Sequence, residues 1–526
     1  MTTIAVISLL HESADSGSIA RRFRGEPVLA WTLRRSGDVA VDTTIVLAWD
    51  DQVSRAQALG VHVHACGQRR QTPASEAVIA AQKWADGWRG GLLSTACFDR
   101  GFSAVHLLAA MGDAEAAVLI DPAAALVEAD ILSNLVRRAR FGDRELYFTN
   151  AAPGVAGVVI RRSLVERLAK SGAAPGRIVH YMPDAPIPDP ITSDACIEVP
   201  LALSRTRERL LLDSDRALRH VDAATVSLNG TLATSNCQTI IERLQATTQP
   251  TPPREVTIEI TTRRATRPVF AATTHLSIER ADMSVEMFTS IVSELASVDD
   301  IRVTLAGVGD PLLHPQIELI LDVLSRVHAT CIETDLVDVS DAVLNKIIHA
   351  GIDVVTLHTP ALTPPTYEQA MGVDAYTKVI ENLRRLLVLR GEARRGVPIV
   401  TPLFTKMADN LEEMECWHDT WLRAVGSAVI VGPTTFAGQI PDTAAADMSP
   451  PLRVACRRIE SRLTILSDGR VVACEQDVLG AMPMGDVNQA SILSIWARAF
   501  PPLRERHGVG IKLPQLCTAC REWDRP

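Results

Sequence analysis

No apolar run in this 526-residue chain approaches the ~20 residues that a helix needs to cross a bilayer. The opening segment, MTTIAVISLLHES, lacks a positive leader and its apolar stretch is short. It predicts a first β-strand and not a secretion signal. Basic residues are not in excess either. The formal net charge is −9, which argues against a nucleic-acid partner, because that needs a concentrated basic surface. No repeat recurs at solenoid periods and no charged low-complexity tail is present. These absences leave a non-membrane protein expected in the cytoplasm, where cysteines stay reduced or bind metal and do not pair.

What is present is ordinary for a globular chain: 47% hydrophobic and 22% charged residues. At roughly 100–200 residues per domain the length suits about three domains. QATTQPTPPRE, residues 245–255, is a proline- and threonine-rich joint. A softer boundary lies in AGQIPDTAAADMSPPLR, residues 437–453. The chain thus divides into 1–245, 254–440 and 446–526.

The middle segment alternates strand-like and helix-like periods. EVTIEI, IRVTLAG, ATCIETD, IDVVTLH, VPIVTPLF and SAVIVGP read as strands. Between them fall five helical patterns, the first with Phe288, Ile291, Val292 and Leu295 on one face and Ser284 as N-cap. Six strands and five helices predict parallel β/α units, too few for a closed eightfold barrel. An open partial barrel follows, with its chemistry at the C-terminal strand ends. The N-terminal segment alternates in the same way and predicts a doubly wound α/β sheet.

Of ten cysteines, Cys66, Cys97, Cys196, Cys237, Cys331 and Cys416 are scattered, whereas Cys456, Cys474, Cys517 and Cys520 fall in the last 71 residues. Cys517-x2-Cys520 lets two thiolates face one ion. RLTILSDGRVVAC predicts a β-hairpin turning at Asp468-Gly469 and delivering Cys474. Four thiolates suit a structural zinc or a 4Fe–4S cluster, and spacing alone does not separate the two.

The whole stretch from Cys456 to Trp523 resembles the SPASM auxiliary-cluster domain attached to many radical SAM proteins. The resemblance rests on the Gly469-x4-Cys474 step, the Met-Gly-Asp-Val segment 484–487, the helix carrying Ile495 and Trp496, and the final Cys-x2-Cys. It implies one 4Fe–4S cluster on the four cysteines, with zinc as the alternative and a folding staple as the plainer role. Ile495, Trp496 and Phe500 read as core.

The preceding segment is similar to a radical SAM core, which opens with a strand and C-x3-C-x2-C. Those thiolates hold three irons and leave a fourth for S-adenosylmethionine. Here the motif falls on Arg264, Pro268 and Ala271, none of which ligates iron, and no other cysteine trio has that spacing. The family's Gly-Gly-Glu-Pro loop, which binds the methionine amino group, corresponds to Val308-Gly309-Asp310-Pro311. Gly309 and Asp310 are thus the remnant of that site; alternatively they only turn the chain. S-adenosylmethionine is not an expected cofactor. Arg263, Arg264 and Arg267 predict either an anion site at the old cluster mouth or a solvated loop.

AVISLLHESADSGSIARRFRGEPVLAWTLRRSG resembles the start of a sugar nucleotidyltransferase, of GT-A type. The resemblance implies a phosphate-cradling loop at Ser16, Gly17, Ser18, Arg21 and Arg22, and a metal-binding Asp121, with Asp113 as the weaker candidate. The family's lysine is replaced by Glu26, which would repel a triphosphate. A retained fold used for packing or recognition is the plainer alternative. His62, His64 and Cys66 alternate on one strand face as metal ligands do, but so does any half-buried strand.

As a whole the chain resembles the spiro-SPASM proteins of spirochaetes: a nucleotidyltransferase-like domain, a degenerate radical SAM barrel and a SPASM domain. The resemblance implies architecture and no substrate. Three readings remain: the first is an iron–sulfur protein that binds a protein or small-molecule partner or relays electrons, and the second an enzyme using a nucleotide at the N-terminal domain. A structural zinc protein is the third.

Overall fold

The computed structural model describes residues 1–84, 103–171, 183–184, 193–206, 208–247, 251–447, 449–509 and 512–524. Cys97 and residues 248–250 of the expected joint lie outside the described residues. Packing divides the chain into two compact units, Met1–Gln249 and Pro250–Pro526.

In the first unit β1 (Thr3–Ser8), the short ribbon β2 (Arg22–Phe23) and β3 (Glu26–Pro27), β4 (Thr43–Ala48), β5 (His62–Ala65), β6 (Ala116–Ile120), β7 (Leu146–Thr149), β8 (Val158–Arg161) and β9 (Cys196–Ile197) follow in sequence. The main sheet runs β5-β4-β1-β6-β8-β7-β9. Its first four strands are parallel, and β8 pairs antiparallel with β6 and β7. β1 is buried at every residue, because both faces are covered. Ala5 and Ile7 enter one core and Ile4 and Val6 the other. The helix Val28–Ser36 returns the chain from β1 to β4, as expected of a doubly wound sheet.

The second unit carries β10 (Glu255–Ile258), β11 (Arg302–Leu305), β12 (Ala329–Thr334), β13 (Val354–His358), β14 (Ile399–Thr405), β15 (Val429–Val431), β16 (Arg462–Ile465), β17 (Arg470–Val472) and β18 (Pro483–Asp486). Strands β15 to β10 lie side by side in chain order, all parallel, so the six-stranded partial barrel is present. The helices close as their caps predict. Ser284 accepts from Met287 N–H at 3.1 Å and Ser340 from Val343 N–H at 3.3 Å. Val285–Leu295 buries Phe288, Ile291, Val292 and Leu295, the face read from the sequence. An additional helix, Pro364–Met371, has too short an apolar pattern to be seen in advance.

The last segment is not a separate sheet. β16 pairs in parallel with β10, Glu255 opposite Arg462 and Ile258 opposite Ile465. The hairpin to β17 turns at Gly469 with φ +92°, where a side chain is strained. Among the described residues no helix is long and apolar enough to cross a membrane.

Candidate functional site

Strand alternation sorts the residues of the partial barrel. Val256, Ile258, Val303, Leu305, Ile332, Val355, Leu357 and Val400 face the helices. The intervening residues therefore face the concave side, and their last members meet at the C-terminal strand ends. There Asp335, one residue past β12, is 1% exposed and receives Arg264. Arg264 Nε donates to one Asp335 oxygen at 2.8 Å and Nη2 to the other at 2.6 Å. That bidentate pairing is the strongest form of such a contact. Thr266 Oγ1 also donates to Asp335, and His358 Nδ1 lies 3.0 Å from it. His358 Nε2 lies 3.8 Å from Glu333 on the same face.

Burial opposes ionisation here, but the Arg264 guanidinium and His358 hold Asp335 well below the usual carboxylate range. Burial likewise pulls His358 down, and its contacts with Asp335 and Glu333 outweigh that and raise it to about 9. Asp310 is pushed up by burial and by the neighbouring Asp335. Its carboxylate is spent on the fold: Leu312 N–H donates at 3.0 Å, Thr334 Oγ1 at 2.9 Å and Asp335 N–H at 2.9 Å.

The two readings of the arginine run, an anion site or a solvated loop, divide by residue. Arg264 is neither a free cation nor solvated, because it is 10% exposed and paired with Asp335. Arg263 is exposed but pairs with Asp282 at 3.0 Å. Arg267 is exposed. Pro268 is buried, and Ala271 is 6% exposed. Gly309 has a steric reason for its identity. A Cβ there would meet Thr262 C at 2.7 Å and Arg263 O at 2.8 Å, and Asp310 N–H donates to Arg263 O at 2.8 Å. The loop of residues 308–311 is thereby stitched to the Thr-Thr-Arg segment. Asp335 and His358 had no motif to mark them; only the charge they carry at strand ends hinted at a role.

In the first unit the loop after β1 is occupied by its own carboxylate. Glu12 accepts from Ser18 N–H at 3.0 Å and from Ser18 Oγ at 2.5 Å. Gly17 N–H donates to Ser13 O at 2.9 Å, and a Cβ at Gly17 would meet Glu12 Cβ at 2.8 Å. Arg21 pairs with Asp215 at 2.8 Å and Arg22 donates to Gly25 O at 3.1 Å; Ser16 is exposed. Glu26 pairs with Arg34 at 2.6 Å. Asp121 is 2% exposed and accepts from Ala123 N–H at 2.8 Å, whereas Asp113 is exposed. His62 and His64 lie on β5, an edge of the sheet, and Cys66 just beyond it is pushed up to about 11 by burial.

At the C-terminal end of the second unit, Cys456, Cys474, Cys517 and Cys520 are all free thiols. Burial raises Cys474 to about 12 and Cys517 to about 11, and each also feels Cys456 and Cys520 electrostatically. Cys456 is 8% exposed. The helix Gln515–Ala519 and its cap carry the Cys-x2-Cys pair. Arg453 holds that turn by donating to Cys517 O at 2.6 Å, and Glu522 N–H donates to Cys520 Sγ at 3.2 Å.

Residues 456–521 match the SPASM family, an iron–sulfur cluster-binding domain. The C-terminal segment is a SPASM domain.

A protein of Treponema pallidum (strain Nichols), itself uncharacterized, is 31% identical over 100 residues, which is 19% of this chain and 28% of that protein. The matched stretch thus spans under a third of that relative. Among solved structures, BtrN in complex with AdoMet and 2-DOIA is 16% identical and covers 52% of this chain and 94% of its own, with a TM-score of 0.36. Streptococcus suis SuiB bound to precursor peptide SuiA is 12% identical and covers 54% and 78%, with a TM-score of 0.41. At such TM-scores neither likeness bears on activity or ligands.

By chemistry, four thiols free of disulfides are the donor type an iron–sulfur cluster takes, and the Glu522 N–H donates to one of the sulfurs. Among the described residues, however, no group of three or more His, Cys, Asp or Glu is drawn together tightly enough to hold a metal ion. The domain is tied to the barrel through a second buried ion pair. Arg280, 6% exposed, grips Glu259 with two 2.8 Å contacts and donates to Val478 O at 2.8 Å, just beyond Cys474.

Proposed function

We propose that this protein binds a partner or relays electrons with one 4Fe–4S cluster on Cys456, Cys474, Cys517 and Cys520, and that its barrel carries out no radical chemistry. The observation behind this reading is the Arg264–Asp335 ion pair at the motif position. Iron needs thiolate ligands there, and the first motif position instead presents a guanidinium already engaged by a buried carboxylate. The methionine-binding remnant is equally committed, since Asp310 is engaged by Leu312, Thr334 and Asp335.

When bound, a 4Fe–4S cluster supplies one-electron transfer. The chain's own residues would set its surroundings. Arg453 holds the Cys517–Cys520 turn, the Glu522 amide donates to sulfur, and Arg280 anchors the loop after Cys474. Hydrogen bonds to sulfur and burial are what tune a cluster's potential.

The test is iron, acid-labile sulfide and zinc per chain after anaerobic purification, with Cys517→Ala alongside. About four irons with matching sulfide, lost in the variant, support the reading. About eight irons, or reductive cleavage of S-adenosylmethionine, would overturn it. About one zinc without sulfide would leave a structural staple.

A further inference from the structure

The concave face of the partial barrel carries polar side chains in every layer, interrupted by Ala329, Val354, Ile399 and Leu403, whereas the interior of an ordinary packed barrel is apolar. Its layers follow from the strand register. At the floor Glu255 stands opposite both Arg302 and Arg462, with contacts of 3.4 and 2.5 Å. Above it Thr464, Thr257, Thr304 and Cys331 lie in one row across four strands. The next row is Glu333, Thr356 and Thr401. The rim is Asp335 and His358.

Two details indicate that these hydroxyls are not merely spare core. Thr257 and Thr304 are half-buried, so the row is reachable. Thr401 is 1% exposed, on the same face, and its Oγ1 has no hydrogen-bond partner. A buried hydroxyl without a partner in a native fold calls for an explanation.

The charges on this face are largely paired in place: Glu255 with two arginines, Asp335 with Arg264 and His358. Glu333 is the accessible one, 39% exposed, and its contact with His358 at 3.8 Å is the longest of these pairs. What remains on offer is hydroxyl groups, each able to donate and accept, and one carboxylate that accepts. Adjacent strands lie about 4.8 Å apart, a repeat suited to alternate hydroxyls around a small ring. We propose that this face is a binding site for a neutral polyhydroxylated small molecule, a polyol or sugar. Thr257 and Thr304 pair with its hydroxyls and Glu333 accepts from one of them. The proposal rests on the reading that the mouth holds the Arg264 ion pair and no cluster. It supplies the small-molecule class for the binding role.

The test uses the full-length protein, purified anaerobically and titrated calorimetrically with myo-inositol, glucose and ribose in turn. Wild type should show saturable binding to at least one. The isosteric Thr257→Val/Thr304→Val variant should bind that probe about tenfold more weakly, with an unchanged melting temperature, and Glu333→Gln should weaken it too. No saturable binding with any of the three, or equal affinity in the double variant, overturns the proposal. Iron and sulfide are measured on the same samples. Polyol binding without iron sinks only the cluster assignment, and iron without polyol binding sinks only this site.

Discussion

Arg264 and Asp335 meet through two parallel contacts of 2.8 and 2.6 Å, with the carboxylate 1% and the guanidinium 10% exposed. Asp310 and His358 lie beside them. Removing one partner of such a pair strands the other charge in a low dielectric.

Arg264→Met should therefore destabilise the second unit by about 3 kcal/mol, because the buried Asp335 loses its bidentate partner and keeps only His358 and Thr266. Arg264→Lys keeps the charge but loses the fork that matches the carboxylate, so it should recover only part of the loss. Urea unfolding of the three proteins, followed by circular dichroism, checks both statements.

His358 titrates near 9 in the fold against an ordinary 6.5. A raised folded value means that protonation favours the folded state. Its contribution is therefore complete below about pH 6.5 and disappears as pH rises through about 9. Wild-type stability should fall across that window and His358→Asn should flatten the fall. Denaturation midpoints measured from pH 6 to 10 would show parallel curves if His358 were not involved.

Gly309→Ala should destabilise by about 1–3 kcal/mol, since the added carbon has only backbone of residues 261–263 to push against. Gly391→Ala is the control: a Cβ there meets nothing within 4 Å. Thermal melts of the two variants should separate clearly, and equal melts would remove the steric account of Gly309.

Calorimetric titration with CTP or UTP and Mg²⁺ should give no heat. Glu12 already occupies the Ser18 N–H and hydroxyl, and Asp215 already neutralises Arg21. Saturable heat would restore the nucleotide enzyme as the better reading of the first unit.

Much of the second unit was legible in advance. The six strands and the faces of their helices follow from apolar periodicity, and periodicity reports a local geometric repeat. The Asp468-Gly469 turn was equally visible, because only a few residues accept positive φ there. The pairing of β16 with β10 was not, since nothing local in Arg462–Ile465 names a partner more than 200 residues away. The buried pairing of Arg264 was hidden for the same reason: a cation reads as free until the carboxylate opposite it is known.

The sequence by itself determined the six parallel strands of the second unit and most of the helices between them, and that four cysteines cluster near the C-terminus. It also determined that the chain contains no C-x3-C-x2-C trio. These are properties of residue type and spacing, and they survive without knowledge of the chain's path. Only the tertiary structure decided that Arg264 is held by Asp335, that Glu12 occupies the first unit's loop, and that threonines from separate strands share one row. Each of those depends on contacts between segments far apart in sequence, and long-range pairing leaves no local period to read.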